Sequence, residues 1–92
     1  MSKKAILLHE KDNCVVALED VLTGDVVAYD GGEVVALNSL CLGHKLAIAA
    51  VSRGGKILKY GAVIGSATQD IAPGMHVHTH NLGSDYIVGF HD

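Results

Sequence analysis

Asp25-Val26-Val27-Ala28-Tyr29-Asp30-Gly31-Gly32-Glu33-Val34-Val35-Ala36-Leu37 is the stretch on which the fold turns. Two short valine-rich runs flank Asp30-Gly31-Gly32, and such a pair around a glycine-bearing turn signals a β-hairpin. Valine is stiff at χ1 and fits a pleated strand better than a helix. The rest of the chain repeats the theme, with brief apolar stretches separated by Gly, Asn and Asp. Residues 5–8, 14–18, 56–59, 62–67 and 75–80 read as strands, and residues 45–51 as either a strand or a helical turn. No window longer than ten residues keeps a helical period, and no internal repeat is visible. These features predict a mainly β domain, a small barrel or clip of short strands and Gly-rich turns. Residues 1–92 are expected to form one domain, with 83–92 as a tail or an edge strand.

A chain of 92 residues has room for one small core, marginal when alone. That tilts the reading towards a module working against another surface. The net charge of −3 and the scattered Lys and Arg residues argue against nucleic acid as a partner. Cys14 and Cys41 fit neither a disulfide framework nor a CxxC site, and read as small buried hydrophobes. No segment approaches the roughly 20 apolar residues of a membrane span. The basic start is followed by only four apolar residues, too few for a signal-peptide core. The expected location is the cytoplasm, with no membrane partner.

The strongest chemical signal is His76-Val77-His78-Thr79-His80-Asn81. On a strand, alternate side chains leave the same face, so three imidazoles would line one surface. Neutral imidazole is a common metal ligand and a proton carrier near neutral pH. Alternate residues stand about 6.5–7 Å apart along a strand, which puts His76 and His80 about 13 Å apart. A neighbouring pair, not all three, is therefore the expected metal half-site unless the strand bends. Asp70 and Asp85 are candidates for further ligands. A solvated face and a metal-free contact to substrate or phosphate remain open beside metal ligation.

Two weaker clusters stand upstream. Gly43-His44-Lys45 could present an imidazole and an ammonium from a glycine turn, or be a plain surface turn. In Lys59-Tyr60-Gly61 with Ile64-Gly65, the glycines suggest a bulge or a close backbone approach. Tyr60 either donates to an oxyanion or packs on the core. Ser52-Arg53-Gly54-Gly55-Lys56 lacks phosphate-loop spacing, and Glu19-Asp20 is most simply a solvated turn.

The order of these motifs, with Asp12-Asn13-Cys14-Val15-Val16-Ala17-Leu18 before them and Asp70-Ile71-Ala72-x-Gly74 between, resembles a known family. It is the SAF-type domain of the altronate/galactarate dehydratases, and the resemblance covers roughly residues 5 to 82. It implies a β-clip fold and the role of a small subunit or domain of a sugar-acid hydro-lyase of the altronate dehydratase type. Such an enzyme removes water from a polyhydroxy acid and leaves a 2-keto-3-deoxy acid. The implied partner is a large catalytic subunit, and the implied cofactor is a divalent metal, Fe2+ or Mn2+. On this reading His76, His78 and His80 supply a metal-binding pair, and His78 and Tyr60 are catalytic. His44, Lys45, Lys59 and Asn81 contact substrate, and the main base sits on the large subunit. The isolated chain is then expected to be inactive. Two alternatives stand beside it: a non-catalytic sugar-acid-binding or regulatory module, and the small subunit of a related sulfolactate sulfo-lyase.

Overall fold

The hairpin written in the valine-rich stretch forms in the computed structural model, which describes residues 2–83. Strand β3 (Val26–Tyr29) runs antiparallel to β4 (Gly32–Val35), with Val26 opposite Val35 and Tyr29 opposite Gly32. Strands β2 (Cys14–Ala17), β6 (Lys56–Lys59) and β7 (Ala62–Ala67) fall on the expected apolar runs, and β1 (Lys3–Ile6) lies two residues before the expected 5–8. Residues 45–51 resolve to a three-residue strand, β5 (Lys45–Ala47), rather than a helical turn. Two short strands follow, β8 (His76–Val77) and β9 (Leu82–Gly83). The described residues contain no helix, so the expected mainly β class is what the chain adopts. Residues 84–92, the rest of the expected tail or edge strand, lie outside the described residues.

The strands make a six-stranded sheet in the order β4-β3-β1-β2-β5-β8 and a three-stranded sheet in the order β6-β7-β9. Strand β1 joins the two parts of the larger sheet. Lys3 and Lys4 pair parallel with β3, whereas Ala5 and Ile6 pair antiparallel with β2. Strands β2 and β5 then form a septum between two apolar clusters. Val15, Ala17 and Leu46 face a cluster with Val21, Val27, Ala36 and Leu40. Cys14 and Ala47 face the other, with Val51, Ile57, Ile71 and Val77. The period-2 alternation of a strand thus lets two adjacent residues serve different cores.

The expectation of no internal repeat is overturned. One eleven-residue pattern, Ala-x3-φ-x2-Gly-x2-φ with φ aliphatic, occupies residues 17–27, 36–46, 47–57 and 67–77. The four alanines (Ala17, Ala36, Ala47, Ala67) and the aliphatics at both φ positions are buried. The four glycines, Gly24, Gly43, Gly54 and Gly74, all have positive φ, the left-handed conformation that glycine reaches without a Cβ penalty. The copies pair two by two. Gly24 N donates to Ala36 O and Gly43 N to Ala17 O. Gly54 N donates to Ala67 O and Gly74 N to Ala47 O, all at 2.8 Å. The bridges Val21–Leu40 and Val51–Ile71 lie at the centre of each pair. The molecule is therefore two clips of like construction, joined in chain order. The repeat is hard to see in the sequence because only burial and backbone conformation constrain it, and the seven remaining positions vary freely.

Side chains close the corners of the clips. Asp20 Oδ1 accepts from Leu42 N at 2.9 Å, Ser39 Oγ from Thr23 N at 3.0 Å, and Asp70 Oδ1 from Arg53 N at 2.9 Å. The fourth corner pairs Ala50 with Pro73, so both acceptor and donor are missing.

The β6–β7 hairpin is held from outside itself. Asp12, 6% exposed, accepts from Tyr60 N at 2.9 Å and Gly61 N at 2.7 Å. Asn13 bonds both Lys56 O and Leu58 N. The expected bulge falls between Ile57 and Leu58, where Ile57 pairs Gly65 and Leu58 pairs Val63. The expected close approach is at Gly65, where a Cβ would run into Gly83 O of the neighbouring β9.

Candidate functional site

The four-histidine region is built at the seam between the clips. His44 follows Gly43, whose φ of +88° turns the chain into β5. Its backbone is fixed on both sides, by His44 N to Cys41 O and by Ala17 N to His44 O. His76 opens β8 and pairs with Leu46. One step further along that antiparallel register, His44 faces His78. The strand ends after Val77. His76 N and His78 N donate to asparagine side chains, to Asn38 Oδ1 and Asn81 Oδ1, each at 2.9 Å.

That curl replaces the expected straight strand over residues 75–80. The His76 and His78 rings stack 5.2 Å apart with an interplanar angle of 10°. His44 lies 5.1 Å from each of them, centroid to centroid. His76 and His80 are 5.6 Å apart and tilted by 50°, far closer than a straight strand allows. One ring nitrogen each from His44, His76 and His78 falls within 4.8 Å of the others, the only such group of three among the described residues. His44 and His76 are half-buried and His78 is exposed.

Nδ1 of His44 and Nε2 of His76 are 3.0 Å apart, a distance at which they share one proton. The same spacing suits two neighbouring nitrogens on one ion, about 3.0–3.4 Å apart for bonds of about 2.1 Å. Burial, followed by the charges of His44, His78, His80 and Lys45, holds His76 below the ordinary imidazole pKa. A neutral imidazole with a lone pair to offer is the form that binds metal. Three imidazoles with one exposed edge therefore fit a divalent ion and leave its remaining positions to other groups.

The other sequence candidates are placed as follows. His44, expected as a substrate contact, joins the cluster, and His80 sits at its edge. Lys45 is the first residue of β5, beside His44, and its charge reaches both His76 and Cys14. Asn81, also expected to meet substrate, is fully buried, and its amide is occupied by the backbone of His76 and His78, so it has no free group for a ligand. Asp70 caps Arg53 N and is not in the cluster, and Asp85 lies outside the described residues. Tyr60 and Lys59 are not brought to the histidines. Tyr60 N is tied to Asp12, just before β2, and His44 O to Ala17, at the far end of β2. The strand alone spans about 10 Å. Tyr60 is 67% exposed and, with φ of 58°, is the only described non-glycine residue at positive φ. Sequence reasoning missed Asp12, Asn38 and the bracketing role of Asn81. Polar residues immediately before or after an apolar run were the available signal.

Both cysteines were expected to be buried. Cys14 is, and burial followed by the nearby Asp12 charge pushes its thiol up to about 11. Cys41 is exposed, at the tip of the first clip, which corrects the expectation there.

An all-β double clip carrying a histidine cluster at its seam is the class that fold and site define. Residues 3–85 match the altronate/galactarate dehydratase SAF domain, and the chain belongs to that family. It is 42% identical to the altronate dehydratase of Escherichia coli (strain K12) over 76 residues, 83% of this chain and 15% of that protein. It is 37% identical to the altronate dehydratase of Bacillus subtilis (strain 168) over 79 residues, 86% of this chain and 16% of that protein. The chain thus spans about a sixth of the length of those relatives. The (2R)-sulfolactate sulfo-lyase subunit alpha of Chromohalobacter salexigens is 34% identical over 84 residues, 83% of this chain and 89% of that subunit. No helix among the described residues is long and apolar enough to cross a membrane.

Proposed function

We propose that this chain is the small SAF subunit or domain of a cytoplasmic sugar-acid hydro-lyase of the altronate dehydratase type. The observation that carries the proposal is the His44–His76–His78 cluster, which is preformed, exposed on one side and, among the described residues, short of a full ligand set. A large catalytic region would complete it. His44, His76 and His78 would hold a divalent metal, iron or manganese, which when bound supplies Lewis-acid polarisation of the acid's carboxylate and 2-hydroxyl.

The reaction is a β-elimination: a base removes the proton next to the carboxylate, the β-carbon–oxygen bond breaks, and water leaves. The enol that results loses its hydroxyl proton and gains one at the β-carbon, which gives a 2-keto-3-deoxy acid. Elimination of this kind needs a base, charge stabilisation and an acid for the leaving hydroxyl. Lys45, beside the cluster, draws the carboxylate towards it. His78, the exposed imidazole, would hold the ion through one ring nitrogen and exchange a proton with the leaving group through the other. Lys59 and Tyr60 would meet substrate or the large region only across a separate surface, at the other end of β2. The principal base belongs to the large region.

A second reading replaces water by sulfite as leaving group. It is favoured by the sulfolactate sulfo-lyase subunit alpha, of which this chain covers 89%.

The test is turnover of altronate, galactarate and sulfolactate by the large region with and without this chain. Keto-acid or sulfite formed only when both are present, and lost with His78→Ala, is the expected result. Full turnover without this chain would sink the proposal and favour a regulatory or binding module.

A further inference from the structure

The 78–81 turn contains a fully buried polar side chain that bonds only backbone and lies next to the cluster. Asn81 is 0% exposed. Its Oδ1 accepts from His78 N at 2.9 Å, and its Nδ2 donates to His76 O at 2.7 Å. Its own N donates to His78 O at 3.0 Å. One amide therefore bonds the backbone of both histidines, and both of its ends are used. The turn keeps two backbone bonds of its own, Asn81 N and Leu82 N to His78 O. What the amide adds is the hold on His78 N and His76 O, which fixes the two histidine backbones against each other.

The anchorage of the turn to the rest of the domain is separate. Thr68 N donates to the Asn81 carbonyl at 2.9 Å, and β9 pairs with β7 through Leu82 and Gly83. These are backbone bonds, so they survive a change of side chain at position 81. His44 is anchored independently, through Cys41 and Ala17. Loss of the Asn81 amide should therefore release His78 selectively, leave His44 beside His76, and keep the clips folded.

We infer that Asn81 is the positioning residue of the histidine cluster, a buried bracket that sets His78 against His76. The inference rests on the reading of the cluster as a metal-holding half-site, and its geometric part is testable without metal. In the full chain free of metal, ring-to-ring nuclear Overhauser contacts are expected among His44, His76 and His78. Asn81→Ala should lose the contacts of His78 and keep that between His44 and His76. Asn81→Asp keeps an acceptor for His78 N but lacks the donor to His76 O. It should weaken the His78 contacts and settles the matter should the alanine variant fail to fold.

Titration with Co2+ gives the second readout. Affinity should fall about 10–100-fold in Asn81→Ala, the usual loss when support behind a metal ligand is removed. A folded Asn81 variant with unchanged His78 ring contacts would overturn the inference, whatever its effect on melting temperature. So would unchanged Co2+ affinity in a folded variant of a chain that binds the ion. A wild-type chain that binds no Co2+ would instead count against the metal reading, and the ring contacts would still decide the role of Asn81.

Discussion

The two clips share one backbone plan and differ in what they hang on it. Both use buried alanines, a positive-φ glycine and a central aliphatic bridge. At the corners, however, the first clip exposes Leu22, Cys41 and Leu42 where the second has Ser52, Ala72 and Pro73. Their hairpins differ too. The β3–β4 turn is Asp30-Gly31, with positive φ on the glycine alone, and the β6–β7 turn is Tyr60-Gly61, with positive φ at both. The shared parts account for the fold, because burial and left-handed turns recur at equivalent places. The unshared parts are where chemistry is located, since His44 comes from one clip and His76 and His78 from the other. A site at the seam needs both clips in register, although neither is built around it.

The equivalent glycines give the widest contrast. A Cβ on Gly24 meets nothing within 4 Å, whereas one on Gly74 runs into Val35 O and lies 3.2 Å from Leu37. Gly24→Ala should cost only the left-handed strain of about 1–2 kcal/mol. Gly74→Ala adds overpacking of about 1–3 kcal/mol to that strain. Equal urea midpoints for the two variants would break the comparison.

The hairpin turns come next. Asp12→Ala strands two backbone donors at the Tyr60-Gly61 turn and should destabilise by about 2 kcal/mol. In the opposite direction, Tyr60→Asn places a residue that tolerates left-handed backbone and should stabilise by up to about 1 kcal/mol. A less stable Tyr60→Asn would show that the ring supports the fold. Smaller again is the incomplete corner. Asp70→Ala should cost about 1 kcal/mol by removing the acceptor of Arg53 N. Ala50→Asp should change little, because Pro73 has no N–H to donate. A clear gain from Ala50→Asp would contradict the corner equivalence.

Much of this architecture was legible in the sequence. The Asp30-Gly31-Gly32 hairpin, the strands 56–59 and 62–67, and the bulge near Gly65 follow from turn chemistry and β-branched runs. Residues 75–80 read as one strand because alternation alone predicts it. The bonds from Asn38 and Asn81 that accompany the curl are tertiary for the first and a local turn for the second, and neither has a spacing that alternation reveals. The histidine run pointed to the site, but His44 joined it only through the β5–β8 pairing, 32 residues away in sequence. Asp12 was invisible as a clamp for the same reason, since Tyr60 and Gly61 lie 48 and 49 residues further on.

The pH dependence is the most modest effect. His76 takes up a proton less readily in the folded chain than in the unfolded one, where imidazole titrates near about 6.5. Its neutral form is thus favoured by folding, and the associated stability is whole above about pH 6.5 and falls as the pH drops below it. The difference in urea midpoint between wild type and His76→Gln should therefore change between about pH 7.5 and 5.5, with wild type losing more on acidification. Parallel curves would remove His76 from the account of the seam.

The most direct test of the seam site is Co2+ titration of the full chain, followed by its visible absorption, in wild type, His44→Ala and His80→Ala. The two-clip account predicts that His44→Ala abolishes the bound-ion spectrum and that His80→Ala leaves it nearly unchanged. Loss with His80→Ala and retention with His44→Ala would return the site to the histidine run alone and contradict a centre shared between the clips.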